Sequence, residues 1–109
     1  MSGARVVRAR GRGRVSLPAH GMADAEHQVE KEVLRAWPES RVEVLEVARA
    51  EEEGGRIVQE FAVAYQVDAT VRLDADSPDE ARREALRRLR AAFAETRHRR
   101  IEWVRVEVE

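Results

Sequence analysis

One long segment without glycine or proline, residues 57–76 (IVQEFAVAYQVDATVRLDAD), constrains the fold of this chain more than any other feature. From Phe61 to Leu73 every odd-numbered residue is apolar, whereas the even-numbered residues are small, polar or charged. A side-chain period of two is typical of a β-strand that buries one face and exposes the other. The segment therefore predicts a single long strand whose odd-numbered side chains enter the core.

The N-terminal segment RVVRARGRGRVSL, residues 5–17, has the same period and contains no acidic residue. From residue 7 to residue 17, the even-numbered positions hold four arginines and a serine, and the odd-numbered positions hold small or apolar residues that include Gly11 and Gly13. Glycine inside a strand commonly marks a bulge or the close approach of another group to the backbone. We therefore predict a first strand here, with a flexible basic arm over residues 1–21 as the alternative.

Two segments show helical spacing. Apolar residues recur every three or four positions between Met22 and Trp37, and Pro38 ends this first helix because the residue before proline avoids helical backbone angles. The sequence SPDE at residues 77–80 has the pattern of a capping box, with the serine as N-cap and the glutamate reaching back. A second helix is therefore predicted from residue 77 onward.

Two further strands complete the pattern. Residues 41–50 (RVEVLEVARA) predict a strand whose parity shifts near Val44 and Leu45, as at a bulge. The EEEGGR segment at residues 51–56 predicts the hairpin turn into the long strand, and residues 100–109 predict a last strand. The order of elements is thus β-α-β-β-α-β.

This order favours an α+β fold of one domain over residues 1–109, a ferredoxin-like plait. Such a plait has a four-stranded antiparallel sheet in the order 4-1-3-2, with two helices on one face. If residues 1–21 were an arm, a three-stranded α+β sheet would remain.

Composition excludes several classes of protein. The chain of 109 residues contains no cysteine, which removes disulfides, thiolate chemistry and cysteine metal sites, and it has no apolar run of about 18 residues for a membrane span. These features favour a cytoplasmic protein.

The 19 arginines, the single lysine and the absence of asparagine fit a GC-rich genome, thermal stability or phosphate binding. We take codon usage as the main cause and keep thermostability as an expectation.

Nothing in the sequence has the form of a catalytic motif. No serine has a GxSxG context, and the RGRGRV segment is neither a dinucleotide fingerprint nor a P-loop. His20, Asp24 and His27 lie near one another in sequence, but their spacing matches no known zinc site. We therefore expect no enzymatic activity, no cofactor and no bound metal.

Two sets of arginines are candidates for binding a polyanion. The first set lies on the predicted first strand and the second on the predicted second helix. They are Arg8, Arg10, Arg12 and Arg14, and then Arg83, Arg87 and Arg90. Arginine contacts phosphate without reading sequence, but Glu60 and Asp68 on the long strand are available to pair with the first set.

An apolar patch is the candidate for self-association. Trp103 lies where the parity of the last strand breaks, and Ala62 and Ala64 lie on the exposed parity of the long strand. If all three shared the open face of the sheet, they would form a contact for a partner. We therefore expect a non-enzymatic protein that forms a homo-oligomer. The alternatives are a nucleic-acid-binding accessory protein that uses the arginine stripes, and a small-molecule binder.

Overall fold

The computed structural model describes residues 3–50 and 59–109. Its elements are β1 (Gly3–Ala19), α1 (Met22–Ala36), β2 (Ser40–Arg49), β3 (Gln59–Ala75), α2 (Pro78–Phe93) and β4 (Glu102–Val108). They form an α+β fold with one four-stranded antiparallel sheet and two helices. The predicted turn at residues 51–56 lies outside the described residues.

Strands β1 and β3 pair with each other along their whole length and form the centre of the sheet. The register runs from Gly3 opposite Ala75 to Ala19 opposite Gln59. β2 lies on the outer side of β3 and β4 on the outer side of β1, so the order is β2-β3-β1-β4, which reads 4-1-3-2 from the β4 edge. The arginine-rich N-terminal segment is therefore a central strand and not a flexible arm.

The core lies on the odd-numbered side of this central pair. The side chains from Phe61 to Leu73 on β3 are buried at every odd position, as the sequence predicts, and Val7, Val15 and Leu17 of β1 join them. Both helices contribute to the same cluster. Their buried residues are Ala25, Val29 and Val33 of α1, and Ala81, Ala85, Leu89 and Phe93 of α2.

The two helices start from opposite ends of the β1–β3 pair. Helix α1 follows directly after Ala19, whereas α2 follows after Ala75, which pairs with Gly3 at the far end. Helices of 15 and 16 residues are each about 23 Å long, but strands of 17 residues extend over about 55 Å. The molecule is accordingly long and narrow, at 62 × 19 × 17 Å.

Each helix is fixed at one end by side-chain hydrogen bonds. The indole N–H of Trp37, just beyond α1, donates to the carbonyl oxygen of Thr70 on β3 at 2.9 Å. At the start of α2, the Ser77 hydroxyl accepts the N–H of Glu80, and the Glu80 carboxylate accepts the N–H of Asp76. The predicted capping box is thus present, with Glu80 reaching one residue beyond the N-cap. Within residues 3–50 and 59–109, neither helix has the length and apolar composition needed to cross a membrane.

Candidate functional site

The even-numbered side chains of β1 and β3 point away from the helices and form, with side chains of β2 and β4, the open face of the sheet. The cross-strand register arranges them in rows. One row consists of Arg41, Asp68, Arg10 and Arg105, and the next of Glu43, Gln66, Arg12 and Glu102. Each row contains both basic and acidic residues, with Arg10 lying between Asp68 on β3 and Arg105 on β4, so the open face carries charges of both signs.

Two of the four β1 arginines on the open face, which are Arg8, Arg10, Arg12 and Arg14, are paired with acids. Arg10 Nε lies 2.8 Å from Asp68 Oδ1, and this hydrogen bond raises the pKa of Arg10. Arg8 Nε lies 2.5 Å from Glu109 Oε1. The expected pairing with Asp68 is confirmed, but Glu60 lies opposite Pro18, too far along the strand to reach the arginine stripe. Within the described residues, no ion pair joins an acid to Arg12 or Arg14.

A shallow groove of about 600 Å³ lies on the open face, between the start of β2 and the strand β4. Its charged lining includes four arginines and three carboxylates, which are Arg8, Arg10, Arg41, Arg105, Glu39, Asp68 and Glu107. An anion entering the groove would meet these carboxylates as well as the guanidinium groups. The groove lining contains no aromatic residue on which a nucleic-acid base could stack.

The arginines of α2 do not share a surface with those of β1. Helix α2 packs on the core side of the sheet, so Arg83, Arg87 and Arg90 are exposed on the opposite side of the molecule from the open face. Arg87 also forms a two-pronged hydrogen bond with Glu84, at 2.8 and 2.5 Å. The hydrogen bonds from Arg87 and Arg88 lower the pKa of Glu84 to about 2. The two predicted stripes are therefore separate features.

Trp103 does not join Ala62 and Ala64. Its ring packs on the core side, with its centroid 6.1 Å from that of Phe93, whereas both alanines lie half-buried on the open face. The cause is a bulge in β4: Arg105 pairs with Arg10 and Trp103 with Gly11, so Val104 is an extra residue. This extra residue turns Trp103 to the side opposite Arg105. The predicted three-residue patch is therefore not formed.

A hydrogen-bond relay that no sequence pattern predicts lies between the sheet and α1. Tyr65 Oη lies 2.6 Å from His98 Nδ1, and His98 Nε2 lies 2.8 Å from Glu32 Oε1, which also contacts Arg97 Nε at 3.2 Å. Tyr65 and His98 are each 1% exposed. The relay connects β3, α1 and the loop between α2 and β4.

Burial determines the protonation of this relay. It lowers the pKa of His98 and raises that of Tyr65, so both groups are neutral at neutral pH. The tyrosine hydroxyl then donates to Nδ1, and the Nε2–H of the imidazole donates to the Glu32 carboxylate. The rings of Tyr65 and His98 are buried, and the relay links three elements of the fold.

The sequence offers only an indirect signal for this relay. The segment ETRHRR after α2 has the ordinary appearance of cations at a helix C-terminus. The partners Glu32, Tyr65 and His98 are each separated by 33 residues along the chain, so no local pattern joins them. Gly13, directly opposite Tyr65, is the one local hint that a ring needs room there.

Asp24, which lies near His20 and His27 in sequence, forms hydrogen bonds at the start of α1. Asp24 accepts the backbone N–H of His20 at 2.9 Å and a side-chain N–H of Gln28 at 3.1 Å. These hydrogen bonds lower the pKa of Asp24. The carboxylate therefore holds the turn that leads into the helix.

The charged open face and the relay are thus two polar clusters that the structure describes. No protein-family model, no curated protein and no solved structure matches this chain.

Proposed function

We propose that this protein is a non-enzymatic, self-associating α+β module, built on a ferredoxin-like plait with both helices on one face, that acts as a homo-oligomer in the cytoplasm. The observation that carries the proposal is the position of the exposed apolar side chains on the sheet. Leu45 is 53% exposed and Val104 is 52% exposed. One lies on β2 and the other on β4, the two outer strands in the described part of the chain. A second copy at either edge would cover such a residue.

The unpaired edges supply the physical reason. An outer strand presents a row of backbone N–H and C=O groups that another strand can satisfy. The open face supports the same proposal, because its arginines and acids pair with one another and leave little net charge to attract a polyanion. Ion pairing within the face therefore favours the edges over the face centre as the place of association.

Sedimentation velocity tests this proposal. We expect a species larger than the monomer at micromolar concentration, with a distribution that shifts as the protein is diluted. A single monomer at every concentration up to about 100 µM, the strength of a weak protein association, would overturn the proposal.

The alternative is binding to nucleic acid, which Arg12 and Arg14 favour because they carry no ion pair within the described residues. A mobility-shift titration with labelled RNA and DNA at several salt concentrations tests it. If these arginines contact phosphates, replacing both with alanine reduces the salt slope of log K by about 2. The matched control is Arg83→Ala with Arg90→Ala on α2. The absence of a shift even at low salt would remove this alternative.

A further inference from the structure

The outer edge of β4 has the features of a homotypic contact. β4 pairs with β1 on one side only, and within the described residues no strand lies on its other side. After the bulge at Val104, the strand continues regularly from Arg105 to Val108. The exposed apolar residue Val104 lies at the beginning of this regular stretch.

Charge and parity together restrict how two copies of β4 can pair. Residues opposite each other in an antiparallel pair share a face of the sheet, so a continuous sheet requires open-face residues to meet open-face residues. In the regular stretch of β4 after the bulge these are Arg105 and Glu107. Centring the pair on Arg105 or on Glu107 places like charges opposite each other, which is unfavourable. Centring it on Val106 places Arg105 of each copy opposite Glu107 of the other.

We propose that β4 pairs antiparallel with β4 of a second copy, with Val106 opposite its own equivalent, to form one eight-stranded sheet. In this register the exposed Val104 lies opposite Val108, which is half-buried in the single chain. The 3.5 Å contact between Arg105 and Glu107 within one chain is then exchanged for two ion pairs between the copies on the open face. Three apolar pairs on the core face also connect the copies. This inference rests on the proposed function, since it names the surface through which the copies associate.

The β2 edge offers a similar charge pattern but a poorer fit. Centring a β2 pair on Val42 would place Arg41 opposite Glu43. The bulge between Val44 and Glu46 interrupts this strand in its middle, and in that register the exposed Leu45 would meet the charged Glu39. A β2 contact would thus leave the exposed apolar residue uncovered, whereas the β4 contact covers it.

Charge reversal with rescue tests the register. Arg105→Glu places Glu opposite Glu107 twice in the dimer, and we expect dimerisation to weaken roughly tenfold. Adding Glu107→Arg restores opposite charges, and the dimer should recover. Arg105 is a well-exposed side chain, and circular dichroism verifies that the variants keep their fold. The matched reversal Arg41→Glu on β2 should leave dimerisation unchanged.

A single cysteine gives an independent geometric test, because the chain has none of its own. Directly opposite residues have Cα atoms about 4.5–5.5 Å apart, which suits a disulfide. We therefore expect Val106→Cys to form a covalent dimer under mild oxidation, and Val42→Cys on β2 to stay monomeric on a non-reducing gel.

The outcomes separate the inference from the proposed function. Weakening by Arg105→Glu, rescue by the double reversal and cross-linking at position 106 support the β4 contact. If the wild-type protein forms an oligomer but the β4 variants associate equally well, or if the β2 variants associate less well, the β4 contact is overturned and self-association still stands. A wild-type protein that is monomeric throughout overturns both.

Discussion

At the scale of single residues, Gly13 and Tyr65 depend on each other. A Cβ added to Gly13 would lie 2.5 Å from Tyr65 Cζ, closer than such atoms can approach. The tyrosine ring has little freedom to move aside, because it is buried and its hydroxyl donates to His98. The absence of a side chain at residue 13 is therefore what allows Tyr65 to reach the relay.

We expect Gly13→Ala to lower the free energy of unfolding by about 1–3 kcal/mol, the usual effect of overpacking a core. Urea denaturation followed by circular dichroism measures this change. Gly3→Ala is the matched control, since nothing lies within 4 Å of a Cβ at that position and the change should stay within about 0.5 kcal/mol. Equal stability of the two variants would show that Tyr65 does not need the space.

The buried imidazole of His98 makes stability depend on pH. Burial lowers its native pKa below that of the unfolded chain, so the unfolded state binds the extra proton first as the pH falls. The contribution of neutral His98 to the free energy of unfolding is therefore present above the unfolded pKa of about 6.5. It decreases as the pH falls below that value, by at most about 1.4 kcal/mol per pH unit for one proton.

Denaturation curves between pH 5 and 7 measure this slope. We expect His98→Gln to flatten it, because glutamine does not titrate. Ser16→Ala, an exposed change on β1 that removes no titrating group, should retain the wild-type slope. A slope that His98→Gln leaves unchanged would mean that another group supplies the pH dependence.

At the scale of elements, the start of α2 is set by local sequence. Ser77 Oγ accepts the N–H of Glu80 at 3.1 Å, one of the donors that a helix leaves unsatisfied at its first turn. We expect Ser77→Ala to destabilise the protein by about 1 kcal/mol in thermal or urea unfolding. Ser16→Ala, on the exposed face of β1, is the control and should have almost no effect. Equal losses in both variants would contradict a capping role.

Elements with local signals could be predicted from the sequence. The alternation in β3, the capping box of α2 and the parity shift at the β2 bulge each depend on a few neighbouring residues, and the structure contains all three. The face on which Trp103 lies could not be predicted in the same way. It depends on a bulge that β4 forms against Gly11 of β1, a residue far away in the chain.

In the candidate sites too, contacts with local sequence signals could be predicted, whereas contacts between distant residues could not. The pairing of Arg10 with Asp68 could be predicted because both lie on strands with clear parity. The relay from Glu32 through His98 to Tyr65 required the packing of a helix, a loop and a strand, and none of its members has a sequence context that differs from an ordinary surface or core residue. Only the three-dimensional arrangement identifies it.

At the scale of the whole molecule, strands β1 and β3 each contact both helices. Residues of β1 and β3 lie at the centre of the sheet, whereas β2 and β4 each have a free outer side within the described residues. Local opening of an edge strand breaks fewer contacts than separation of the central pair. We therefore expect the unfolding of α1 and the unfolding of α2 to be coupled through β1 and β3.

Hydrogen exchange followed by NMR or mass spectrometry measures this distribution. We expect the amides of β1 and β3 opposite the helices to exchange slowest, at the rate of global unfolding. Amides on the outer side of β4 should exchange faster at low protein concentration and become protected as copies associate. Rapid exchange throughout residues 3–19 would contradict the central position of β1.

The position of β1 also affects the order in which the chain can fold as it is synthesised. Val7 pairs with Val71 and Val108, so β1 must wait for partner strands that are synthesised much later than β1 itself. Contacts this distant in sequence form slowly, and an unpaired strand is prone to aggregate in the meantime. Gly11, Gly13 and the alternating arginines reduce that risk, because backbone flexibility and like charge oppose the pairing of nascent chains. The alternating arginines of β1 thus oppose association of incompletely synthesised chains, and in the folded protein they lie on the open face of the sheet.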